Sequence, residues 1–303
     1  MQELDGTLVV SATDLVGFLE CDHLITLERL RAEGAIEKPF RDDPELELIR
    51  RRGFDHEQAY VRRLRDEGRT VYEVQRRDAK TLDELRAAQD ETVAAMRRGE
   101  DVIFQATFFD GRWRGHADFL VRHDGRASDL GSYSYDVADT KLARRVKAAA
   151  IIQMCVYADL LEDLQGVPPE TISVVTGDGV ANPHRLADYA AYFRAAKRRF
   201  ESRVFETAAE DQPETYPEPV DHCRVCSWWT LCVDRRRADD HLSLVAGASR
   251  VQRRRLVADG VTTLAALGEL AESATVPGMD SRVLERPRVG LDVPEHIEGG
   301  RGR

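Results

Sequence analysis

The hydrophobic periodicity of the chain changes twice along its length, and this change limits the possible folds. Over residues 11–98 apolar side chains recur every three or four positions, as in amphipathic helices. Over residues 101–141 the repeat becomes two, as in half-buried strands, with turn residues at Asp110-Gly111 and Asp124-Gly125. Helical spacing returns at about residue 145. This order predicts an α/β or α+β protein with a central mixed sheet flanked by helices.

Capping residues and turn residues set the limits of the predicted elements. The predicted helices span residues 11–34, 44–66, 81–98, 145–164 and 186–205, and the predicted strands span residues 101–109, 112–122, 133–141 and 171–176. Ser11 and Thr81 are predicted N-caps, because an acidic residue follows each of them three positions later. After about residue 270 the chain is rich in Gly, Pro and Arg, so we predict a flexible tail over residues 273–303.

Composition excludes several classes of protein. The 44 basic and 54 acidic residues give a formal net charge of -10, which argues against nucleic-acid binding by overall positive charge. Five cysteines are too few for a disulfide scaffold, and no signal-like segment precedes Ser11, so we expect a reducing cytoplasmic setting. The longest apolar run, residues 148–161, is shorter than the roughly 20 residues that cross a bilayer, and no membrane partner is expected.

Two carboxylates and a lysine are predicted to converge at the ends of the central strands. Alternation places Asp118 and Leu120 on one face of their strand and Phe119 on the other. The same period places Asp139 and Lys141 on a common face of the next strand. Carboxylates that bind Mg²⁺ or Mn²⁺, with a lysine that orients or deprotonates water, are typical of metal-dependent phosphodiesterases. The alternative is that Asp-x-Lys marks a solvated strand end.

Three further polar side chains lie on apolar helix faces. His56 lies on the inner stripe of helix 44–66, where a histidine is either a metal ligand or a core residue with satisfied hydrogen bonds. Gly53, one turn earlier, permits close approach of backbone or substrate. Gln153 and Tyr157 lie one turn apart on helix 145–164, and a buried glutamine needs polar partners.

The cysteines indicate a metal or cluster site. Cys223, Cys226 and Cys232 form a C-x2-C-x5-C motif that needs a fourth ligand. Cys155 lies in an apolar run, whereas Cys21 lies beside polar residues, so Cys21 is the favoured partner. Four cysteines hold zinc or an iron–sulfur cluster, and spacing alone does not decide between them. The single C-x2-C pair favours a [4Fe-4S] cluster.

In order along the chain, these motifs resemble the RecB-like nucleases of the PD-(D/E)XK superfamily that carry an iron–sulfur staple, such as the CRISPR-associated four-cysteine exonuclease and the AddB nuclease domain. The matching motifs are Cys21, Gly53-Phe54-Asp55-His56-Glu57, Gly115-His116-Ala117-Asp118-Phe119, Asp139-Thr140-Lys141, Gln153 with Tyr157, and the C-x2-C-x5-C segment. Ala117 stands where the superfamily name implies proline. The resemblance covers residues 11–232.

The resemblance implies a role for each of these side chains. By it, His56, Asp118 and Asp139 would ligate Mg or Mn, Lys141 would position the attacking water, Gln153 and Tyr157 would contact the strand, and Cys21, Cys223, Cys226 and Cys232 would hold a structural [4Fe-4S] cluster. It also implies a restriction-endonuclease-like nuclease domain over residues 1–235. A C-terminal helical hairpin over residues 236–272 resembles a helix-hairpin-helix, although its turn lacks G-x-G and a plain helical pair is the alternative.

The resulting expectation is a metal-dependent DNA nuclease in repair, recombination or defence, most simply an exonuclease on single-stranded ends. Arginine clusters near residues 144–147, 194–203 and 250–255 would contact the strand, unless they are ordinary solvated helix faces. No helicase region follows before Arg303, so any helicase or other repair partner would act in trans. The alternative function is a non-catalytic DNA-binding or scaffold protein whose cysteines hold zinc.

Overall fold

The computed structural model of the chain describes residues 1–40, 43–75, 79–207, 213–271 and 273–279. The chain divides into two compact units, Met1–Glu214 and a second unit that begins at Thr215. Most of the predicted tail, from residue 280 onward, lies outside the described residues. Within the described ranges, no helix has both the length and the apolar character needed to cross a membrane.

A mixed sheet of eight strands runs through the first unit. Its strands are β1 (Gln2–Leu4), β2 (Thr7–Ser11), β3 (Val71–Glu73), β4 (Val102–Phe109), β5 (Trp113–Ser128), β6 (Gly131–Thr140), β7 (Thr171–Val175) and β8 (Ala181–Arg185). The main path is β1-β2-β5-β6-β7-β8, with β4 beside β5 and β3 beside β4. The pairs β2–β5, β3–β4 and β6–β7 are parallel, and the other pairs are antiparallel.

Helices cover the sheet and complete the predicted α/β fold, which the structure confirms. The helices of this unit are α1 (Ala12–Glu20), α2 (Asp22–Ala32), α3 (Pro44–Asp66), α4 (Leu82–Arg98), α5 (Ala148–Gln165) and α6 (Ala187–Glu201), which continues as a π-helical turn (Ser202–Glu206). The larger core joins α5 and its neighbours to one face of the sheet, for example through Trp113, Tyr135 and Met154. A smaller core places Tyr60 and Leu64 of α3 against the other face.

The first predicted helix is two helices, which corrects the placement of Cys21. Ser11 is the predicted N-cap, and its backbone N and Oγ donate to Asp14 Oδ2 at 2.8 and 2.7 Å. The helix then ends at Cys21, whose φ of -156° and ψ of 111° are extended. Leu24 packs 3.0 Å from the position that a Cβ on Gly17 would take, so the second helix folds back closely on the first. Cys21 therefore lies between two helices.

The turn predicted at Asp124-Gly125 is wrong. Strand β5 continues to Ser128 and absorbs these residues as an irregularity in its pairing with β6. Gly125 adopts a φ of +83°, which a glycine accommodates without steric cost. The hairpin instead turns at residues 129–130, where Asp129 N donates to Gln165 O at 2.9 Å. This contact with the distant end of α5 and a local hydrogen bond from Leu130 N to Ser128 Oγ, at 3.1 Å, both stabilise the turn.

The predicted alternation of β5 is confirmed as far as Ala117 and is wrong beyond it. Trp113 and Ala117 pack in the larger core on the α5 face. Phe119, expected on that same face, packs instead against α3, with its ring centroid 4.9 Å from that of Tyr60. Leu120, expected on the other face, is fully buried in the larger core. The strand therefore changes faces next to Asp118.

The second unit contains three α-helices in the part of the chain that the structure describes. They are α7 (Trp229–Ala238), α8 (Arg250–Ala258) and α9 (Leu264–Gly268), and short 3-10 turns lie at Asp221–Arg224 and Leu242–Leu244. The predicted helical pair is thus present, with Gly260 at a φ of +88° in its turn and Leu242, Leu256 and Leu267 buried beneath it. Arg253 is buried and pairs with Glu218 at 2.9 Å, so it supports this unit internally.

Candidate active site

Asp118 and Asp139 lie opposite each other at the end of the β5–β6 pair. Phe119 pairs with Ala138, so the next position outward places the two aspartates side by side. Asp118 Oδ2 accepts hydrogen bonds from Thr140 N at 2.9 Å and from Thr140 Oγ1 at 3.1 Å. These bonds fix the Asp118 carboxylate beside the backbone of the neighbouring strand. The structure therefore brings together the two carboxylates that the sequence predicted to converge.

Asp139 is buried, and its surroundings shift the pKa of its carboxyl group. Its side chain is only 2% exposed, and Oδ2 forms an ion pair with Lys141 Nζ. Burial first, and the negative charge of Asp118 second, raise the pKa of Asp139, against the opposing effect of Lys141. A bound cation would offset both unfavourable effects.

Lys141 connects the carboxylates to the neighbouring strand. Its backbone N donates to Val175 O of β7 at 2.8 Å, and its side chain is 35% exposed. Burial would lower the pKa of Lys141, but the charges of Asp139 and Asp118 outweigh burial and raise it. Lys141 therefore remains an ammonium group near neutral pH, which suits it to orient a water molecule or a phosphate oxygen.

The donor set fits Mg²⁺ or Mn²⁺. Mg²⁺ in nucleotide enzymes is commonly held by one or two carboxylates, with waters and substrate phosphates completing the shell. Asp118 and Asp139 supply such a pair. Within the described ranges, no group of three or more His, Cys, Asp or Glu side chains is placed to hold a metal ion, so the two carboxylates are the candidate ligands.

His56 lies beside this cluster on α3. Its Nε2 is 3.5 Å from Val175 O, the same carbonyl oxygen that accepts the Lys141 amide. The ring is half-buried and faces the end of β7. The structure therefore places His56 next to the Lys141 backbone, and its metal-ligand role stays a prediction.

The contact between Glu57 and Gln105 was not predicted from the sequence. Gln105, in β4, is 8% exposed, and its Nε2 donates to Glu57 Oε2 at 3.2 Å. The negative charge of Glu57 also raises the pKa of Lys141, which places Glu57 in the electrostatic surroundings of the site. A lone glutamine within the apolar run Val102–Phe109 was the available signal.

Gln153 and Tyr157 form one unit on α5. Gln153 Nε2 donates to Tyr157 OH at 2.8 Å, and Tyr157 is 5% exposed. A Cβ added to Gly115 would lie 3.0 Å from the Tyr157 ring, so this glycine permits the close approach of strand and helix. Gln153 thus finds the polar partner that its position requires.

A cleft of about 310 Å³ adjoins Lys141. It lies between the start of α1 and the start of α5, and it is lined by Lys141, Gln153, Arg145, Lys147, Thr13 and Val16 among others. Two of the predicted basic residues, Arg145 and Lys147, therefore line the same cavity as the lysine of the site. The overall negative charge is compatible with this local concentration of positive charge.

The predicted cluster ligands fall in both units. Cys223 lies in the 3-10 turn, Cys226 follows it, and Cys232 lies in the first turn of α7. Val220 N lies 3.4 Å from Cys223 Sγ, in hydrogen-bonding position. Cys21 belongs to the first unit. Cys155 is 1% exposed, and burial raises the pKa of its thiol to about 12, as expected for a core residue.

Comparison with known proteins adds no assignment. No known protein family matches the sequence, and no curated protein resembles it at a significant level.

Proposed function

We propose that the chain is a Mg²⁺- or Mn²⁺-dependent DNA nuclease of the RecB-like kind, acting as an exonuclease on single-stranded ends. One observation carries the proposal: two opposed carboxylates, one of them almost fully buried, lie against a lysine at the end of a strand pair. Such a buried concentration of negative charge is costly without a cation. The order of motifs along the sequence supports the RecB-like kind.

The chain's own groups divide the chemistry among them. Asp118 and Asp139 would hold the divalent ion, which supplies an acidified water and neutralises charge on the phosphate. Thr140 N and Oγ1 keep the Asp118 carboxylate in place. Lys141, protonated because of its two acidic neighbours, would donate hydrogen bonds to the attacking water or to a phosphate oxygen.

The cleft beside Lys141 supports a nucleic-acid substrate. Arg145 and Lys147 would pair with phosphates, while Gln153 would meet the sugar or base of the scissile nucleotide. Thr13 and Val16 form the opposite wall of the cleft. Because backbone phosphates provide most of the attraction, binding should weaken steeply as salt is raised.

The digestion of end-labelled single-stranded DNA with Mn²⁺ tests the proposal. We expect Asp139→Ala and Lys141→Ala each to lower the cleavage rate by at least about a hundredfold, the lower range for a positioned catalytic group. The matched controls are Asp124→Ala, an exposed aspartate in β5, and Lys80→Ala, an exposed lysine. Equal digestion by all four variants would refute the site. DNA retention without any cleavage would favour the non-catalytic scaffold.

The [4Fe-4S] cluster is a second part of the proposal, and it rests on the cysteine motif. Cys223, Cys226 and Cys232 would supply three ligands, and the sequence pattern alone selects Cys21 as the fourth. Anaerobically purified protein should be brown and contain iron and sulfide. Cys223→Ser should lose the colour, and the control Cys155→Ser should keep it. A colourless protein with stoichiometric zinc would refute the cluster.

A further inference from the structure

Strands β4 and β5 both change faces at the same cross-strand pair. In β4, Ile103 packs in the larger core and Phe104 packs against α3, yet Ala106 returns to the larger core where regular alternation would keep it with Phe104. The same reversal separates Ala117 from Phe119 in β5. The register stays constant across the reversal, from Phe104–Phe119 to Ala106–Ala117. The two positions between them, Gln105 and Asp118, therefore oppose each other at the reversal.

The reversal lets Asp118 and the apolar start of β5 lie on the same face of the sheet. Residues directly opposite on paired strands share a face of the sheet. Leu120 and Val137 are opposite each other, and both lie in the larger core. Asp118 is two residues from Leu120 in β5, and Asp139 is two residues from Val137 in β6, so both aspartates lie on that face too. Ala117, the immediate neighbour of Asp118, also packs in the larger core. Without the reversal, either the aspartate or the apolar start of β5 would face the wrong side.

The backbone of Gln105 makes this reversal at a conformational cost. Its φ is +59°, in the left-handed region that non-glycine residues seldom occupy, and it lies inside a buried strand. Strained residues of this kind cost on the order of 1–3 kcal/mol and cluster at functional sites. Glycine would adopt this conformation more easily, so the glutamine side chain must offer something that glycine lacks.

That side chain reaches the surroundings of the carboxylate site. Gln105 Nε2 donates to Glu57 Oε2 at 3.2 Å, across from α3 to the sheet. Glu57 follows His56 in the helix, and its charge acts on Lys141. Gln105 thus makes the strand reversal beside Asp118 and also donates a hydrogen bond to a third carboxylate, that of Glu57.

We propose that Gln105 is a positioning residue for the proposed cation site: its left-handed backbone lets β5 present Asp118 beside Asp139 while the apolar start of the strand stays in the core, and its amide holds Glu57 beside them. The inference rests on the proposed metal-dependent function. In this role Gln105 contacts neither metal nor substrate. The orientation of the Glu57 carboxylate then depends on Gln105, a residue of the sheet.

Titration of the full chain with Mn²⁺, without DNA, tests this role independently of activity. In Gln105→Asn, the asparagine tolerates the left-handed backbone, but its side chain is too short to reach Glu57. In Gln105→Gly, the hydrogen bond to Glu57 is also lost, and the glycine adopts the left-handed backbone without strain. We expect each to weaken Mn²⁺ binding by about tenfold, the lower range for residues that support metal ligands. Neither should lower the melting temperature more than the control Gln89→Asn, whose parent side chain accepts from Phe109 N at the far end of β4.

Glu57→Gln tests the same link from the helix, should the strand variants fail to fold. We expect a similar loss of Mn²⁺ affinity, and the double variant with Gln105→Asn should lose no more than either single one. Wild-type binding of Mn²⁺ with unchanged affinity in the Gln105 and Glu57 variants would overturn this inference and leave the nuclease proposal standing. Absence of Mn²⁺ binding in the wild type would overturn both.

Discussion

Replacing Asp139 by asparagine should stabilise the protein while removing a ligand of the proposed cation site. Asp139 is almost fully buried, faces Asp118 across the strand pair and has one charged partner, Lys141, among the described residues. Asparagine keeps the shape of the side chain without the charge. Because burial and the Asp118 charge outweigh the attraction of Lys141, the ionised carboxylate opposes folding when no metal is bound.

The size of the effect follows from the pKa of Asp139, which burial, together with Asp118, raises from 3.8 to about 8. Each pKa unit corresponds to about 1.4 kcal/mol, so this difference sets a ceiling of about 6 kcal/mol above pH 8. Relaxation and water penetration around the partly exposed Lys141 reduce such a penalty, and we expect about 2 kcal/mol. That corresponds to a rise in melting temperature of roughly 6 °C for a unit of this size.

The pH dependence distinguishes this explanation from a general packing effect. Between pH 4 and 8 the folded wild type holds the Asp139 proton more tightly than the unfolded chain does, so its stability falls as pH rises. The advantage of Asp139→Asn should therefore be small at pH 5 and largest at pH 8.5. Calorimetric melting in EDTA at both pH values measures it. A variant that is no more stable at pH 8.5, or equally stabilised at both, would refute the reasoning.

Two glycine substitutions should change the free energy of unfolding in opposite directions. Gly177→Ala should destabilise the first unit by about 2 kcal/mol and weaken Mn²⁺ binding, because the new Cβ would lie 2.4 Å from Leu142 O, directly after Lys141. Urea unfolding and Mn²⁺ titration measure both effects, and unchanged values would contradict the backbone contact. Gly53→Ala should stabilise α3 by about 1 kcal/mol, since the added Cβ would meet no atom within 4 Å beyond its chain neighbours and the helix backbone. Reduced digestion by this more stable variant would show that DNA needs the space at Gly53, whereas lower stability would refute the helix argument.

Local signals predicted much of the fold. Helix α3 spans Pro44–Asp66 as predicted, with Asp43 Oδ1 accepting from Leu46 N at 3.1 Å. Helix α4 begins after the predicted capping box of Thr81 and ends at Gly99, which has a φ of +72°. These features depend on residues within one turn of each other, so they can be read from the sequence. The short strands β1, β2, β3 and β8 went unpredicted because each has five residues or fewer, too few to show a clear period of two.

The sequence by itself determined the class of fold, the ends of helices such as α3 and α4, and the common face of Asp139 and Lys141, because period and capping are local properties. Only the tertiary structure decided the break at Cys21, the exchange of faces by Phe119 and Leu120, and the approach of Glu57 to the sheet. These features depend on which distant surface each residue meets. The reversal at Gln105 shows the reason: packing on both faces of β4 and β5 outweighs the local preference for regular alternation and a negative φ.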